Sequence, residues 1–364
     1  MPGSFIFFIN RQNEVFMNYR QLTFVREYKG YSQTELSSHI QGLSQSNLSK
    51  YEKGVGQLSD EVKQRIIDFL GFPKGFYEQT ISNKVENAEY RKKAGLTKQK
   101  KDYIDLSNKL IGYIIDQMSE SIEFPTFNLK TLDLEEGYTP KQVAQFTRKY
   151  MGILQGPIKD ICSLLERYGI IIVEQEYDDM FDGVSFFTDK GFPVIVINKN
   201  VTNDRKRLNI AHESGHLIMH LASNIAVPAT RDKEQEAFDF AAEFLMPEDE
   251  IRNSLENLKL SYLFPLKQTW LVSMAAIIRR AKELGCLTKD RYTFFNVELS
   301  RKGYKKNEPG YVYIDTPRVF NEAYTLFKTE LDYSDKELAD AFYLPIEVIN
   351  EYCVPKPHLR VIRP

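Results

Sequence analysis

Residues 208–221 read Leu208-Asn-Ile-Ala-His-Glu-Ser-Gly-His-Leu-Ile-Met-His-Leu221. Leu208, Ile210, Ala211, Leu217, Ile218 and Leu221 supply enough apolar surface to bury a helix, and histidines set among them need polar partners to offset desolvation. Only five histidines exist in the chain, and His212, His216 and His220 fall within this one stretch. The pentad His212-Glu213-Ser214-Gly215-His216 has the spacing H-E-x-x-H. On a helix, residues four apart are offset by about 40°, so the two imidazoles can reach one cation from adjacent turns. Glu213 lies about 100° around from His212, placed to act on water beside that cation without ligating it. His220 is two turns on and about 80° around, which points to a supporting role rather than ligation.

A catalytic zinc takes three protein ligands and keeps one position open. The third is expected from the next helix, Asp232-Lys-Glu234-Gln-Glu236-Ala237-Phe-Asp-Phe240-Ala241-Ala-Glu243. Glu234 shares a face with Ala237 and Ala241, whose small side chains allow close approach of the two helices. Glu236 lies on the neighbouring face with Phe240 and Glu243, although its 20-residue offset from His216 resembles that of thermolysin-like zinc peptidases. Glu234 is favoured, with Glu236 as the alternative. A cation held there acidifies water and polarises a scissile carbonyl, while Glu213 accepts the proton and delivers it to the leaving amine. A bound but proteolytically silent metal site, or a buried helix with unused histidines, are the alternatives.

Around this helix the pattern is α+β. A helix over 141–150 ends at Gly152, and a second is expected to begin at Pro157 and carry Ile161, Leu164 and Leu165. Gly169 releases the chain into the strand Ile170–Val173. Strands at Val184–Thr188 and Val194–Ile197 flank the turn Asp189-Lys190-Gly191, giving a small sheet that is antiparallel in part. Helices are expected at about 203–220, 232–246, 268–284, 319–331 and 335–342.

The first third reads differently. From Tyr19 to Tyr77 there are four or five short helices and no period-two run: one stopping near Gly30, a second capped by Ser32, a third capped by Ser44 and a fourth over 59–70. Residues 1–110 hold 17 basic and 12 acidic side chains, while the whole chain of 364 residues holds 48 and 50. The N-terminal part is thus net positive and the remainder net negative, a balance that excludes a uniformly basic coat protein and lets the first part meet phosphates. Lysine-rich residues 84–110, with Tyr90-Arg91-Lys92-Lys93 and Lys98-Gln99-Lys100-Lys101, read as a connector entering a longer amphipathic helix. A solvated charged face is the simpler account of those lysines.

These motifs carry two resemblances. His212-Glu-Ser-Gly-His216 followed by Glu-x-Glu-Ala237-x-x-Phe240-Ala241-Ala-Glu-Phe-Leu245-Met246-Pro247, with Asp182-Gly-Val-Ser185 and Val194–Asn198 before it, resembles the ImmA/IrrE metallopeptidase family over about residues 160–285. Phe244 stands where that family often has Leu. The resemblance implies a zinc peptidase that cleaves regulatory proteins, often a repressor, with manganese also linked to some members. An antitoxin is a second kind of regulatory protein that fits such a peptidase as substrate.

Tyr31-Ser-Gln33-Thr-Glu-Leu36 with Leu43-Ser44-Gln45-Ser46-Asn47-Leu48-Ser49-Lys50-Tyr51-Glu52-Lys53-Gly54 resembles the lambda-repressor-like (XRE) helix-turn-helix over about residues 19–77. In such a unit the second helix of the motif enters the major groove of double-stranded DNA by its N-terminal end. Gln45, Ser46 and Asn47, following Ser44, would then meet base edges. Gln33 and Ser49 are placed for phosphates, with Lys50 and Lys53 adding charge. Residues 1–80 are near neutral, with 9 basic and 8 acidic side chains. Few phosphate contacts mean little counterion release, so modest affinity and binding as a homodimer are expected. A bundle used for protein contact is the alternative.

The expected organisation is an α+β multidomain chain: a helix-turn-helix bundle at 19–77, a basic helical connector at 78–139, a small-sheet zincin-like metallopeptidase domain at 140–290, and a helical region at 291–364 with no chemistry assigned. Three scattered cysteines without C-x-x-C spacing point to a reducing cytoplasm. Phe5–Ile9 is too short for a signal or membrane segment, and no run approaches 18 apolar residues, so no membrane association is expected.

Overall fold

The computed structural model describes residues 15–83, 97–177, 181–221, 227–228 and 230–355. Phe5–Ile9 and Tyr90–Lys93 lie outside the described residues. The chain divides into two compact units, one drawn from within residues 1–82, 97–110 and 327–364, the other from within 83–96 and 111–326.

In the first unit, helices α1 (Tyr19–Tyr28), α2 (Gln33–His39), α3 (Gln45–Glu52) and α4 (Asp60–Leu70) follow the local signals closely. Ser32 and Glu35 form a reciprocal capping box at α2, and the Ser44 and Ser59 hydroxyls accept the Asn47 and Val62 amides. Each cap satisfies a backbone donor that the helix itself leaves unpaired. Gly42, at φ +84°, makes the turn between α2 and α3. Leu22, Val25, Leu36, Leu48 and Ile66 close the core.

The C-terminal helices α15 (Asp335–Ala341) and α16 (Ile346–Tyr352) belong to this same unit. The Tyr343 ring sits where a Cβ on Gly75 would be, the Tyr28 and Tyr352 hydroxyls are 3.2 Å apart, and Tyr352 donates to Ser107 at 2.9 Å. Ser107 and Tyr103, which donates to Glu351, lie on α5 (Lys98–Met118), the long helix that begins within the lysine-rich stretch.

The second unit holds α6 (Pro140–Tyr150), α7 (Ile161–Arg167), strands β1 (Ile171–Gln175), β2 (Gly183–Phe187) and β3 (Pro193–Asn198), then α8 (Asn203–His216), α9 (Lys233–Leu245), α10 (Glu248–Leu255), α11 (Leu260–Trp270), α12 (Met274–Glu283) and α13 (Lys289–Arg301). Helix α14 (Val319–Thr329) follows. The sheet order is β1-β3-β2, with β1 parallel and β2 antiparallel to β3. Every residue of β3 is buried, as expected of a central strand with a continuous apolar run.

Two expectations need correction. The helix expected from Pro157 begins only at Ile161, because Ile158 and Lys159 instead offer their carbonyls to the buried Arg207 guanidinium. The helix expected over 268–284 is two helices: Leu271 turns left-handed at φ +57° and Ser273 restarts the chain by accepting the Ala276 amide at 3.0 Å. Apolar spacing runs through both halves and hides the break. Helices α10, α13 and α16, and α11 before residue 268, add to those expected from the apolar spacing. Among the described residues no helix is long and apolar enough to cross a membrane.

Glu166 on α7 accepts the Arg318 and Val319 amides at the start of α14, and burial outweighs those bonds to push its carboxyl up to about 7. A folded-state value above the unfolded one means the folded chain holds the proton longer, so this group's contribution to stability is lost as pH rises from about 4.5 to 7. Glu166→Gln keeps an oxygen for both amides and removes the ionisation. Its stability, measured by urea unfolding relative to the parent, is expected to gain about 1–3 kcal/mol between pH 5 and pH 8. A pH-independent difference would refute this account of Glu166.

Candidate functional site

Helix α8 runs beneath the sheet and carries the H-E-x-x-H pentad. The chain then widens into a π-helical segment over Leu217–Leu221, within which His220 meets His216. Ala237 and Ala241 of α9 are fully buried, and a Cβ on Gly215 would come within 3.0 Å of the Phe240 ring. Small residues on both helices therefore permit the close approach that brings α9 carboxylates to the α8 imidazoles.

His212 Nε2 and His216 Nε2 are 3.1 Å apart, and Glu234 Oε2 lies 3.2 Å from the first and 3.5 Å from the second. His212, His216 and Glu234 form a group whose ligand atoms all lie within 4.8 Å of one another. Three donors held about 2.0–2.1 Å from one tetrahedral zinc would sit about 3.3–3.4 Å apart, so this triangle has the dimensions a small divalent cation requires. Burial works to raise the Glu234 carboxyl, but the hydrogen bonds and charge of the two histidines outweigh it and hold the group at about 2. An ionised carboxylate facing two imidazole nitrogens is a donor set suited to zinc or manganese.

Glu213 follows His212 on α8, and its carboxylate meets strand β2. The Ser185 hydroxyl on β2 donates to Glu213 Oε2 at 2.7 Å, and Gly183, two residues earlier on the same face of the strand, also borders the Glu213 side chain. Ser185 fixes the carboxylate from a strand 28 residues away in sequence. Its only sequence signal was its place in the Asp182–Ser185 resemblance. Phe238 packs its ring 4.2 Å from that of His212, with the Arg279 guanidinium 4.9 Å beyond it.

Glu236 lies elsewhere. Its Oε2 is 2.9 Å from His220 Nε2, and Arg231 grips both its oxygens, at 2.9 Å through Nε and 2.6 Å through a terminal nitrogen. His220 Nδ1 in turn lies 3.0 Å from His216 Nδ1. Burial first, then the neighbouring His216, push the His220 ring down to about 4 against the pull of Glu236.

In the first unit, Gln45, Ser46, Asn47 and Lys50 are exposed on α3, as is Ser44 at its cap, while Leu48 and Tyr51 face inward. Gln33 is half-buried. It donates to Glu52 at 2.7 Å and accepts from the Gln45 amide at 3.0 Å, and Glu52 is held by Arg26 at 2.6 and 2.9 Å. Ser49 is half-buried beside them. The Arg26–Glu52–Gln33–Gln45 chain fixes the first residue of α3 against the first residue of α2, an ordering that nothing in the spacing of Arg26 and Glu52 announced.

Residues 165–282 match the sequence profile of the IrrE N-terminal-like peptidase domain, and residues 25–76 match that of a helix-turn-helix domain. No curated protein sequence matches the chain. The chain thus carries an XRE-type helix-turn-helix followed by an ImmA/IrrE-type metallopeptidase-family domain.

Proposed function

We propose that this protein is a cytoplasmic, zinc-dependent metallopeptidase whose helix-turn-helix brings it to DNA, and that it regulates transcription by cleaving a regulatory protein such as a repressor or an antitoxin. The observation that carries the peptidase reading is the triangle of His212 Nε2, His216 Nε2 and Glu234 Oε2, on a helix whose Glu213, the residue after His212, is anchored through one oxygen. His212, His216 and Glu234 would hold the cation. When bound, a divalent cation supplies Lewis-acid polarisation of a peptide carbonyl and acidifies water. Manganese is the alternative metal.

Glu213 is the group that moves the proton. With Oε2 accepting from Ser185, Oε1 is left to take a proton from the attacking water and return it to the leaving amine nitrogen. Ser185 acts through Glu213 by restricting its rotamer. Glu236 serves poorly as a ligand in this arrangement, since both its oxygens face Arg231 and His220.

The exposed row Gln45, Ser46 and Asn47 at the N-terminal end of α3 supports groove reading, with Gln33, Ser49 and Lys50 toward the phosphates. Replacing both Gln45 and Asn47 by Ala is expected to weaken binding to the cognate operator, selected from random duplexes by the protein itself, by about 1–3 kcal/mol per lost base contact. Random DNA should show little change. An equal loss on both would assign the two side chains to the backbone instead. A regulator in which the peptidase-family domain binds a partner without turnover is the second reading, favoured by the presence of a DNA-binding fold in the same chain. Glu213→Gln, which spares metal and DNA binding but not turnover, separates the two.

A further inference from the structure

We propose that Arg231, Glu236 and His220 form a positioning chain that sets the tautomer and orientation of His216 and thereby tunes the affinity of the metal centre. The inference rests on the reading of His212, His216 and Glu234 as ligands. It adds three residues that make no contact with the cation.

Proton placement gives the chain its direction. If His216 offers Nε2 to a cation, its neutral ring carries the remaining proton on Nδ1. That nitrogen lies 3.0 Å from His220 Nδ1, so His220 must accept there. A neutral His220 that accepts at Nδ1 carries its own proton on Nε2, and that nitrogen lies 2.9 Å from Glu236 Oε2, a carboxylate that can only accept. Glu236 is held in turn by the two-point contact with Arg231. Every link has one consistent donor and one consistent acceptor: His216 donates to His220, His220 donates to Glu236, and Arg231 donates to Glu236 from the other side. The reversed assignment would place a proton on His216 Nε2, where the cation would sit.

The chain also explains its setting. His216 and His220 are nearly fully buried, so an imidazole that turned away from its partner would leave an unsatisfied polar atom in the core. The π-helical turn at Leu217–Leu221 is the local irregularity that accompanies this meeting of the two rings. Partners of metal-bound histidines raise ligand basicity and restrict the ring, and their loss typically costs about 10–100-fold in metal affinity.

The test uses the full chain stripped of metal and titrated with Zn2+ against a chromophoric chelator. Glu236→Gln is expected to weaken zinc binding about 10–100-fold, with the metal-free melting temperature unchanged. Glu135→Gln, which removes the charge of the half-exposed second partner of Arg231, is expected to leave zinc affinity as it was. Nitrogen-15 histidine spectra of the zinc-loaded parent should show His220 protonated at Nε2 only, a measurement that stands even if a variant fails to fold. A Glu236→Gln affinity within threefold of the parent, or His220 protonated at Nδ1, overturns the positioning chain while leaving the metal centre intact. A parent chain that takes up no zinc overturns the metal reading and this inference with it.

Discussion

Glu213→Gln is expected to abolish proteolysis while leaving metal content, fold and DNA binding as they are. Gln can still accept from Ser185 through its carbonyl oxygen, so the side chain stays in place, but it cannot take up a proton. General acid–base catalysis contributes roughly 10²–10⁴-fold, and a loss in that range or beyond is the expected result. Because the substrate has to be found at the same time, the measurement is a comparison of new protein N-termini in cells expressing the parent or the variant. New termini that depend on Glu213 identify both the activity and its target. The same termini at the same abundance in both cells would reject the mechanism and leave the partner-binding reading standing.

His216→Ala is the second large effect. His216 is nearly fully buried and faces His212 and Glu234 with one nitrogen and His220 with the other. Its loss should reduce bound metal from about one equivalent to none, by elemental analysis of the purified chain. It should also remove the stabilisation that metal confers on the parent, which is about 2.7 kcal/mol at a metal concentration 100 times the dissociation constant. The ordering of effects matters: Glu213→Gln should spare the metal and lose turnover, whereas His216→Ala should lose both. A His216→Ala chain that retains stoichiometric metal would place the cation elsewhere and withdraw the donor set of His212, His216 and Glu234.

Local chemistry made much of both units readable in advance. Helix caps at Ser32, Ser44 and Ser59 act over three residues, and a glycine turn such as Gly42 acts within one, so the helix-turn-helix boundaries follow from neighbours along the chain. The H-E-x-x-H spacing is likewise a property of a single helix. Apolar periodicity failed where it was continuous across a break. Leu271 and Val272 keep the pattern that joins α11 to α12, and only the cap at Ser273 and the left-handed Leu271 divide them. The late start of α7 has a similar origin, since the carbonyls of Ile158 and Lys159 are claimed by an arginine more than 40 residues downstream.

The sequence by itself determined which helix could carry a metal, which carboxylate could serve as its base, and which helix end could face DNA, because each of those depends on spacing within a turn or two. Tertiary structure alone decided the rest. It set Glu234 toward the two imidazoles and Glu236 toward His220 and Arg231, although the two carboxylates are neighbours on one helix, because the crossing of α8 and α9 selects which face looks inward. It put Ser185 behind Glu213, Glu52 behind Gln33, and the C-terminal helices α15 and α16 in the same unit as the N-terminal bundle. The physical reason is common to all of these: contacts between segments far apart in the chain are chosen by packing and by the pairing of buried polar atoms, and no periodicity along the sequence encodes them.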